Sequence, residues 1–431
     1  MELMAIKAWL RRLAPGWALS AYHWAMSWLA VLAFGWPARQ LSIIGVTGTK
    51  GKTSTASMLW HILEQAGYTT GLISTAVFAV AKESWLNDLK MTMPGRATMQ
   101  KLLRRMVRAG CTHAVVETSS EGLAQWRHVG LPYGVAVFTN LAPEHIRAHG
   151  SFKAYRAAKA RLFQFIARHH GAAVINLDDA EANYFIQSSG QHVWGYTFRD
   201  ANQFSLERVL SAELEVATVA EVRFKVVGVN IALPVGGEFN AENALAATVA
   251  ALALGVPLEK SAAALATYRG TPGRLEFVQT KPFAVVVDYA HTVESLEAVY
   301  KTLRSKSKLI AVLGSCGGGR DKQKREPLGN LAGSYAENVI ITDEDPYDEN
   351  PRAIMESVAA GARAAGKREG ENLWIVEDRR AAIHQALTLA HPGDTVVITG
   401  KGAEQWLMQA GGKKIPWDDR KVVREELENL G

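Results

Sequence analysis

Residues 45–55 read GVTGTKGKTST, setting glycines, lysines and threonines between a β-branched apolar run and a helical one. A phosphate cradle has to stand at such a place. Backbone N–H groups of a glycine-rich turn and of a helix N-terminus favour anionic oxygens, and a lysine reaches the outer phosphates. Lys52 is placed for that task, and the Thr53 hydroxyl would face a magnesium ion. The strict G-x-x-x-x-G-K-T spacing is not met, because Val46 stands five residues before Gly51, so TGTKGKT is a tighter variant. The rival reading is a glycine-rich turn with a surface lysine. The order strand, Gly48, Gly51, Lys52, Thr53, helix argues against it.

Four further stretches put polar residues where a core would not want them. THAVVETSS ends a buried run on Glu117, at the carboxyl end where α/β sheets bind ligands, and a carboxylate there can hold magnesium against a phosphate. An exposed loop acid is the alternative. TNLAPEHIRAHGSFKAYRAAKARLF supplies His145, His149 and Lys159. Residue chemistry alone leaves open whether these are ligands, structural histidines and a solvated lysine. DYAHTVESL sets Asp288 and His291 after another strand, and GSCGGGRDKQKR offers Arg320, Asp321 and Lys324 on a glycine turn able to bind anions. Cys316 in that turn reads as a small turn residue rather than a nucleophile, since no neighbour in sequence is placed to activate it.

These residues need a scaffold. At 431 residues the chain suggests two or three domains, and its 48% hydrophobic and 21% charged content exclude a disordered chain, a collagen-like fibre and a multi-pass membrane protein. Two cysteines, Cys111 and Cys316, build no disulfide framework, so a reducing cytoplasm is expected. The net charge of +6 suits an anionic substrate, a membrane surface or nucleic acid. Acids interleave with the bases, there is no basic stripe, and no nucleic-acid role is expected. From Leu41 onward, short β-branched runs alternate with helical ones, which implies a parallel sheet covered on both faces. Residues 191–235 change to shorter alternating runs and are expected to form an antiparallel insert. A second α/β series follows a linker at Gly270–Gly273. Ahead of all this, residues 13–36 are apolar apart from Ser20, His23 and Ser27, with four tryptophans and flanking Lys7, Arg11, Arg12 and Arg39. A spanning helix needs about 20 apolar residues, and Pro15, Gly16 and Gly35 crop this run. A helix packed on the next domain and a helix lying against a membrane face both remain open.

Taken in order, TGTKGKT, TNLxxxHxxxHG, YRAAK, GEFNAENALAA, PGRLE, DYAHT, GGGRDKxKR and TGKGAE resemble the Mur ligase family, and within it the MurE branch, which adds the third residue of the peptidoglycan stem peptide. The resemblance runs from about Leu41 to the C-terminus. It implies a short hydrophobic helical segment (1–40), a central P-loop-type parallel-sheet ATPase domain (41–270) and a C-terminal Rossmann-like α/β domain (271–431). It also implies ATP-dependent amide formation. The γ-phosphate passes to an acceptor carboxylate, an amino acid's amine attacks the acyl phosphate, and phosphate leaves.

By the same resemblance Gly48, Thr49, Gly51, Lys52, Thr53 and Ser54 cradle ATP, with Asn243, Arg274, Asp288 and His291 as further nucleotide contacts. Thr53, Glu117 and His145 would hold magnesium, expected as two ions. Lys159 matches a family lysine carbamylated by carbon dioxide, which would bridge to the second ion. Ser119, Gln125 and Arg127 would grip a muramyl-peptide acceptor. Arg320, Asp345, Tyr347, Gly400 and Glu404 would hold the free amino acid. A cytoplasmic monomer is expected, with membrane contact through residues 13–36 as a further expectation.

Three departures stand out. The apolar segment occupies the place of the branch's usual uridine-nucleotide domain. Asp345-Pro346-Tyr347 stands where diaminopimelate- and lysine-adding members carry D-N-P-R, exchanging an arginine fork for one hydroxyl. Glu144 replaces an aspartate, and Ala403 replaces the histidine of K-G-H-E. The alternatives left open are a Mur-like ligase acting on a lipid-linked or non-muramyl acceptor, such as an amino-acid polymer, and a nucleotide-binding scaffold.

Overall fold

The structure is a computed structural model that describes residues 15–143, 149–304 and 308–430. It resolves into two compact units. The first comprises residues up to Trp85, Met91–Ala212 and Leu245–Ser261; the second comprises Leu86–Lys90, Glu213–Ala244 and Ala262 onward.

The first unit is built on β1 (Ser42–Thr47), β2 (Thr70–Ile73), β3 (Val77–Val80), β4 (Glu83–Leu86), β5 (His113–Glu117), β6 (Tyr133–Phe138), β7 (Ala172–Asn176), β8 (Val193–Thr197) and the start of β9 (Val209–Ala217). Their order is β9-β8-β7-β6-β1-β5-β2-β3-β4, parallel from β9 through to β2. β1 lies at the centre with five of its six residues buried, as a strand covered on both faces must. Its helices are α1 (Gly16–Ala33), α2 (Lys52–Gln65), α3 (Arg96–Arg108), α4 (Ser120–Ala124), α5 (Phe152–Arg168) and α6 (Ala182–Ser188). Among the described residues no helix is long and apolar enough to cross a membrane.

The expected antiparallel insert begins later than residue 191. β8 and the start of β9 join the parallel sheet, and the antiparallel pairing found is that of β10 (Val222–Val226) with β11 (Val229–Leu233). The reason lies in β8, whose VWGYT is buried at four of five positions and therefore belongs inside a covered sheet.

The chain passes through α7 (Glu238–Ala253) and α8 (Leu258–Leu265) into the rest of the second unit. Its sheet contains β12 (Glu276–Gln279), β13 (Ala284–Val287), β14 (Leu309–Leu313), β15 (Asn338–Ile341), β16 (Leu373–Ile375) and β17 (Thr395–Ile398) in the order β12-β13-β17-β14-β15-β16, antiparallel only at β12. Alternate strand residues serve opposite faces. Val286, Ala311, Leu313 and Val397 pack beneath α9 (Val293–Leu303), α10 (Arg325–Tyr335) and α11 (Pro351–Ala364). Val285, Val287, Ile310, Val312 and Ile398 pack beneath α12 (Arg379–Thr388) and α13 (Asp419–Leu430). A short hairpin of β18 (Trp406–Met408) and β19 (Lys414–Pro416) completes the unit.

Candidate active site

The loop between β1 and α2 leaves the carboxyl end of the central strand. Gly51 caps α2 with φ of 78°, a backbone conformation that costs a side-chain-bearing residue. A Cβ at Gly48 would lie 1.9 Å from Thr139 Oγ1. That contact matters because Thr139, just past β6, donates its hydroxyl to Lys50 O at 2.6 Å, while Lys50 N donates to Asn140 Oδ1 at 2.8 Å and Thr49 N to Asn140 O at 2.8 Å. The loop's shape is thus set by residues that follow β6, the strand paired with β1 in the sheet but five strands later in sequence. Lys52 Nζ donates to Thr49 O at 2.8 Å, which folds the ammonium back over the turn. Ser54 and Thr53 are buried in the first turn of α2.

Glu117, at the end of β5, is 1% exposed. It accepts the Thr53 hydroxyl at 3.1 Å and Thr75 N at 2.7 Å, which rules out the exposed loop acid. Lys159 is 2% exposed, donates to Gly48 O at 2.5 Å and lies 4.6 Å from the Tyr155 ring centre. Tyr155 in turn shares a 3.1 Å hydrogen bond with Thr49 Oγ1. The lysine therefore points at the phosphate loop and is no solvated helix face.

Glu117, the Thr53 hydroxyl and Lys52 fit a magnesium-bearing phosphate chain: magnesium takes oxygen ligands, and a phosphate tail needs cations and N–H donors. The Thr47 hydroxyl, at the entrance to the loop, is buried with no partner among the described residues. Among those residues there is also no group of three or more His, Cys, Asp or Glu side chains able to hold a metal by themselves, so the phosphates would have to supply ligands. His145 lies outside the described residues. His149 stands 3.1 Å from Ser120 Oγ, and burial, aided by Lys159 and Arg161 against Glu121, keeps its pKa below the ordinary value.

The residues expected to grip the acceptor meet in the same unit. Arg127 donates to Gln125 Oε1 at 2.7 and 3.2 Å and to Met93 O, and Ser119 caps α4 by accepting Gly122 N at 3.1 Å. Arg96 donates to Gln125 O at 3.2 Å.

The second unit holds the remaining residues. Asp288 accepts Leu275 N and Ala290 N, each at 2.6 Å, and burial raises its pKa against Arg274 and these bonds. Both of its carboxylate oxygens thus fasten backbone. Arg274 lies over the Tyr289 ring at 4.2 Å, and Lys324 Nζ donates to His291 O at 2.7 Å. Asn243 is buried, with Nδ2 donating to Asn240 Oδ1 at 3.1 Å.

Lys401, fully buried, donates to Asp345 at 2.8 and 2.9 Å, to Glu404 Oε2 at 2.7 Å and to Trp406 O at 2.7 Å. Lys90 also bonds Asp345 and reaches Glu404 Oε2 at 3.0 Å. Burial alone would raise the Glu404 carboxyl, but Lys401 and then Lys90 hold it below the usual range. Asp345 and Tyr347 both adopt positive φ, 67° and 53°, a strain that gathers at functional sites. A Cβ at Gly400 would meet Glu344 Oε2 at 2.2 Å, and one at Gly318 would meet the Tyr347 ring at 2.6 Å. Cys316 donates to Glu344 Oε1 at 3.0 Å, and burial with Glu344 and Asp345 pushes its thiol well up, in keeping with an inert turn residue.

Sequence reasoning missed Thr75, Thr139, Asn140, Lys90 and Lys401. Thr139 and Asn140 could have been found as polar residues directly after a buried strand. Lys90 carried no local signal, since its partners lie far along the chain.

A phosphate loop over a buried carboxylate in one α/β unit, and a buried charge cluster walled by glycines in another, define a nucleotide-using two-unit α/β enzyme. The family comparisons name it more closely. The Mur ligase middle domain matches residues 46–251, and the Mur ligase glutamate ligase domain matches residues 273–402. The UDP-N-acetylmuramyl-tripeptide synthetase of Roseiflexus sp. (strain RS-1) is 39% identical over 94% of this chain and 82% of its own length. The UDP-N-acetylmuramoyl-L-alanyl-D-glutamate–2,6-diaminopimelate ligase of Gloeobacter violaceus is 39% identical over 93% and 80%. A solved ligase of that latter name superposes with a TM-score of 0.61 at 32% identity, over 90% of this chain and 79% of that one. Folylpolyglutamate synthase of Mycobacterium tuberculosis, at 19% identity and a TM-score of 0.66 over 86% and 91%, shares the fold. The chain belongs to the Mur ligase family, ATP-dependent amide-bond-forming enzymes that use ATP and Mg²⁺.

Proposed function

We propose that this enzyme is a MurE-type ligase that joins a free amino acid to a muramyl-peptide precursor. The observation that carries the reading is the closed set around Gly48: Lys52 over the turn, Thr53 on Glu117, and Lys159 buried against Gly48 O. An acceptor carboxylate is a poor acylating agent until an oxygen of it attacks the γ-phosphorus and the bond to ADP breaks. Lys52 and the N-terminus of α2 would hold the phosphates in line while that charge moves. The amine then attacks the carbonyl carbon of the acyl phosphate, loses a proton, and phosphate departs.

Thr53, Glu117 and His145 would hold magnesium, which when bound neutralises the crowded phosphate oxygens. Lys159, carbamylated by carbon dioxide, would change from a cation to an anion and supply the ligand for a second ion. Ser119, Gln125 and Arg127 would grip the acceptor, and Asn243, Arg274, Asp288 and His291 the nucleotide. Arg320, Asp345, Tyr347, Gly400 and Glu404 would hold the amino acid. The functional modules are proposed as residues 1–40, 41–270 and 271–431, supported by the gap between the two family matches. The enzyme is proposed to work as a cytoplasmic monomer.

Incubation with ATP, Mg²⁺, UDP-N-acetylmuramoyl-dipeptide and a pool of amino acids, read by mass spectrometry, tests this. A gain of one amino-acid residue is expected. No gain with intact ATP binding would overturn the acceptor assignment and favour a second reading, a lipid-linked or non-muramyl acceptor. Tyr347, where a carboxylate-forking arginine would otherwise stand, speaks for an altered amino-acid site in either case.

A further inference from the structure

α1 is built inside out. Its polar side chains Ser20, His23 and Ser27 share one face, and that face looks inward. Trp126 Nε1 donates to Ser20 Oγ at 2.8 Å, Arg96 Nε donates to Ser27 Oγ at 2.9 Å, and Arg96 also bonds His23 Nδ1. Ser27 is 3% exposed and Val31, against Gly130, is fully buried. The opposite face carries Trp17, Ala21, Trp24, Ala25, Leu29 and Leu32 at helical spacing, with Tyr22 and Met26 at its margin. Among the described residues, six of the nine large apolar side chains that stand exposed lie on this one helix: Trp17 at 76%, Leu32 at 66%, Leu29 at 58%, Tyr22 at 54%, Trp24 at 48% and Met26 at 38%. An ordinary surface helix has the reverse polarity.

We infer that the outer face of α1 docks on an anionic lipid surface, lying along it rather than crossing it. Three observations select lipid over a protein partner, and a fourth selects lying over crossing. The face is mostly aromatic and aliphatic, and it carries no charged side chain and no hydrogen-bonding group beyond indole N–H and phenol. Tryptophan and tyrosine suit the boundary between acyl chains and headgroups. The flanks are cationic, with Lys7, Arg11 and Arg12 before the helix and Arg39 after it, and residues 3–63 contain no Asp or Glu to repel anionic headgroups. Among the described residues no helix is long and apolar enough to cross a membrane, and α1, unbroken over 18 residues, carries Ser20, His23 and Ser27 along one side. A helix with a long apolar face and basic flanks is the kind that lies in the interface.

The test uses the full chain with vesicles of phosphatidylglycerol and phosphatidylcholine. Co-sedimentation is expected with the mixed vesicles and much less with phosphatidylcholine alone, weakened by salt. Brominated lipid is expected to quench the chain's tryptophan fluorescence. The triple variant W24Q/L29Q/L32Q changes exposed side chains to good helix formers, and its partitioning should fall at least tenfold. V227Q, at a side chain 72% exposed elsewhere, should bind as the parent does. ATP binding verifies that each variant is folded. Absence of vesicle binding and of quenching by the parent chain would overturn the inference. So would a triple variant that binds undiminished. A concentration-dependent dimer in light scattering, abolished by the triple variant while vesicles are ignored, would overturn it in favour of a second copy of the chain.

Discussion

Lys401→Met keeps the length of the side chain and removes its charge from the centre of the second unit. The ammonium makes two bonds to Asp345, one to Glu404 and one to Trp406 O, all between 2.7 and 2.9 Å, in a fully buried position. Without it two carboxylates share Lys90. Breaking a buried pair from one side typically costs about 3–5 kcal/mol, and Lys90 should hold the loss near the lower end, about 3 kcal/mol. For a unit of this size that is a fall in Tm of about 6–12 °C. The pH dependence has a definite sign. Glu404 is held below its usual pKa by Lys401 and Lys90 against burial. Its contribution is therefore present above the unfolded value of about 4.3 and is lost as pH falls through the lower folded value. The gap between parent and variant should be full at pH 7 and narrow as pH drops below about 4. Urea titration followed by peptide-resolved hydrogen exchange over β13, β14 and β17 would read this unit alone. A gap under about 1 kcal/mol at pH 7, or one unchanged in acid, would refute the reasoning.

Gly48→Ala puts a Cβ 1.9 Å from Thr139 Oγ1, so the loop must give way. ATP affinity by calorimetry should fall at least tenfold while circular dichroism stays that of the parent. Glu117→Gln preserves shape and removes the charge facing Thr53, so the Mg²⁺ concentration for half-maximal ligase rate should rise at least tenfold with melting little changed. If Lys159 is carbamylated, degassed enzyme should lose activity and regain it with bicarbonate, whereas Lys159→Ala should stay inactive in both. Equal rates with and without bicarbonate would remove the carbamate from the proposal.

Much of this was legible locally. β1, β5, β6, β7, β13, β14, β15 and β17 are short runs buried on both faces, and their β-branched composition announces them. The phosphate loop was readable because its glycines, lysine and threonine are contiguous. β2, β3, β4, β12 and β16 were missed, since none carries the uninterrupted β-branched run that marks β13, β15 and β17 at a similar length. What holds the loop was also missed: Thr139 and Asn140 act from a neighbouring strand, and adjacency in a parallel sheet is set by crossover topology. The Lys90–Asp345 pair joins residues far apart in the chain, and nothing at either position marks the other. Lys159 was marked by the family resemblance alone, residue chemistry leaving a solvated helix face open, and its Nζ against Gly48 O closes that alternative.

Arg96 touches two things at once. It bonds Ser27 and His23 on α1 and the carbonyl of Gln125, beside the Arg127 fork. One guanidinium thus spans a helix with an apolar outer face and the segment proposed to hold the acceptor. If settling of α1 on a surface shifts Arg96 and alters acceptor affinity by some factor, a bound acceptor must alter the hold on that surface by the same factor. Residence and loading would then be two sides of one equilibrium: a chain carrying its acceptor would dwell at the surface for a different time than an empty one, with no second signal required.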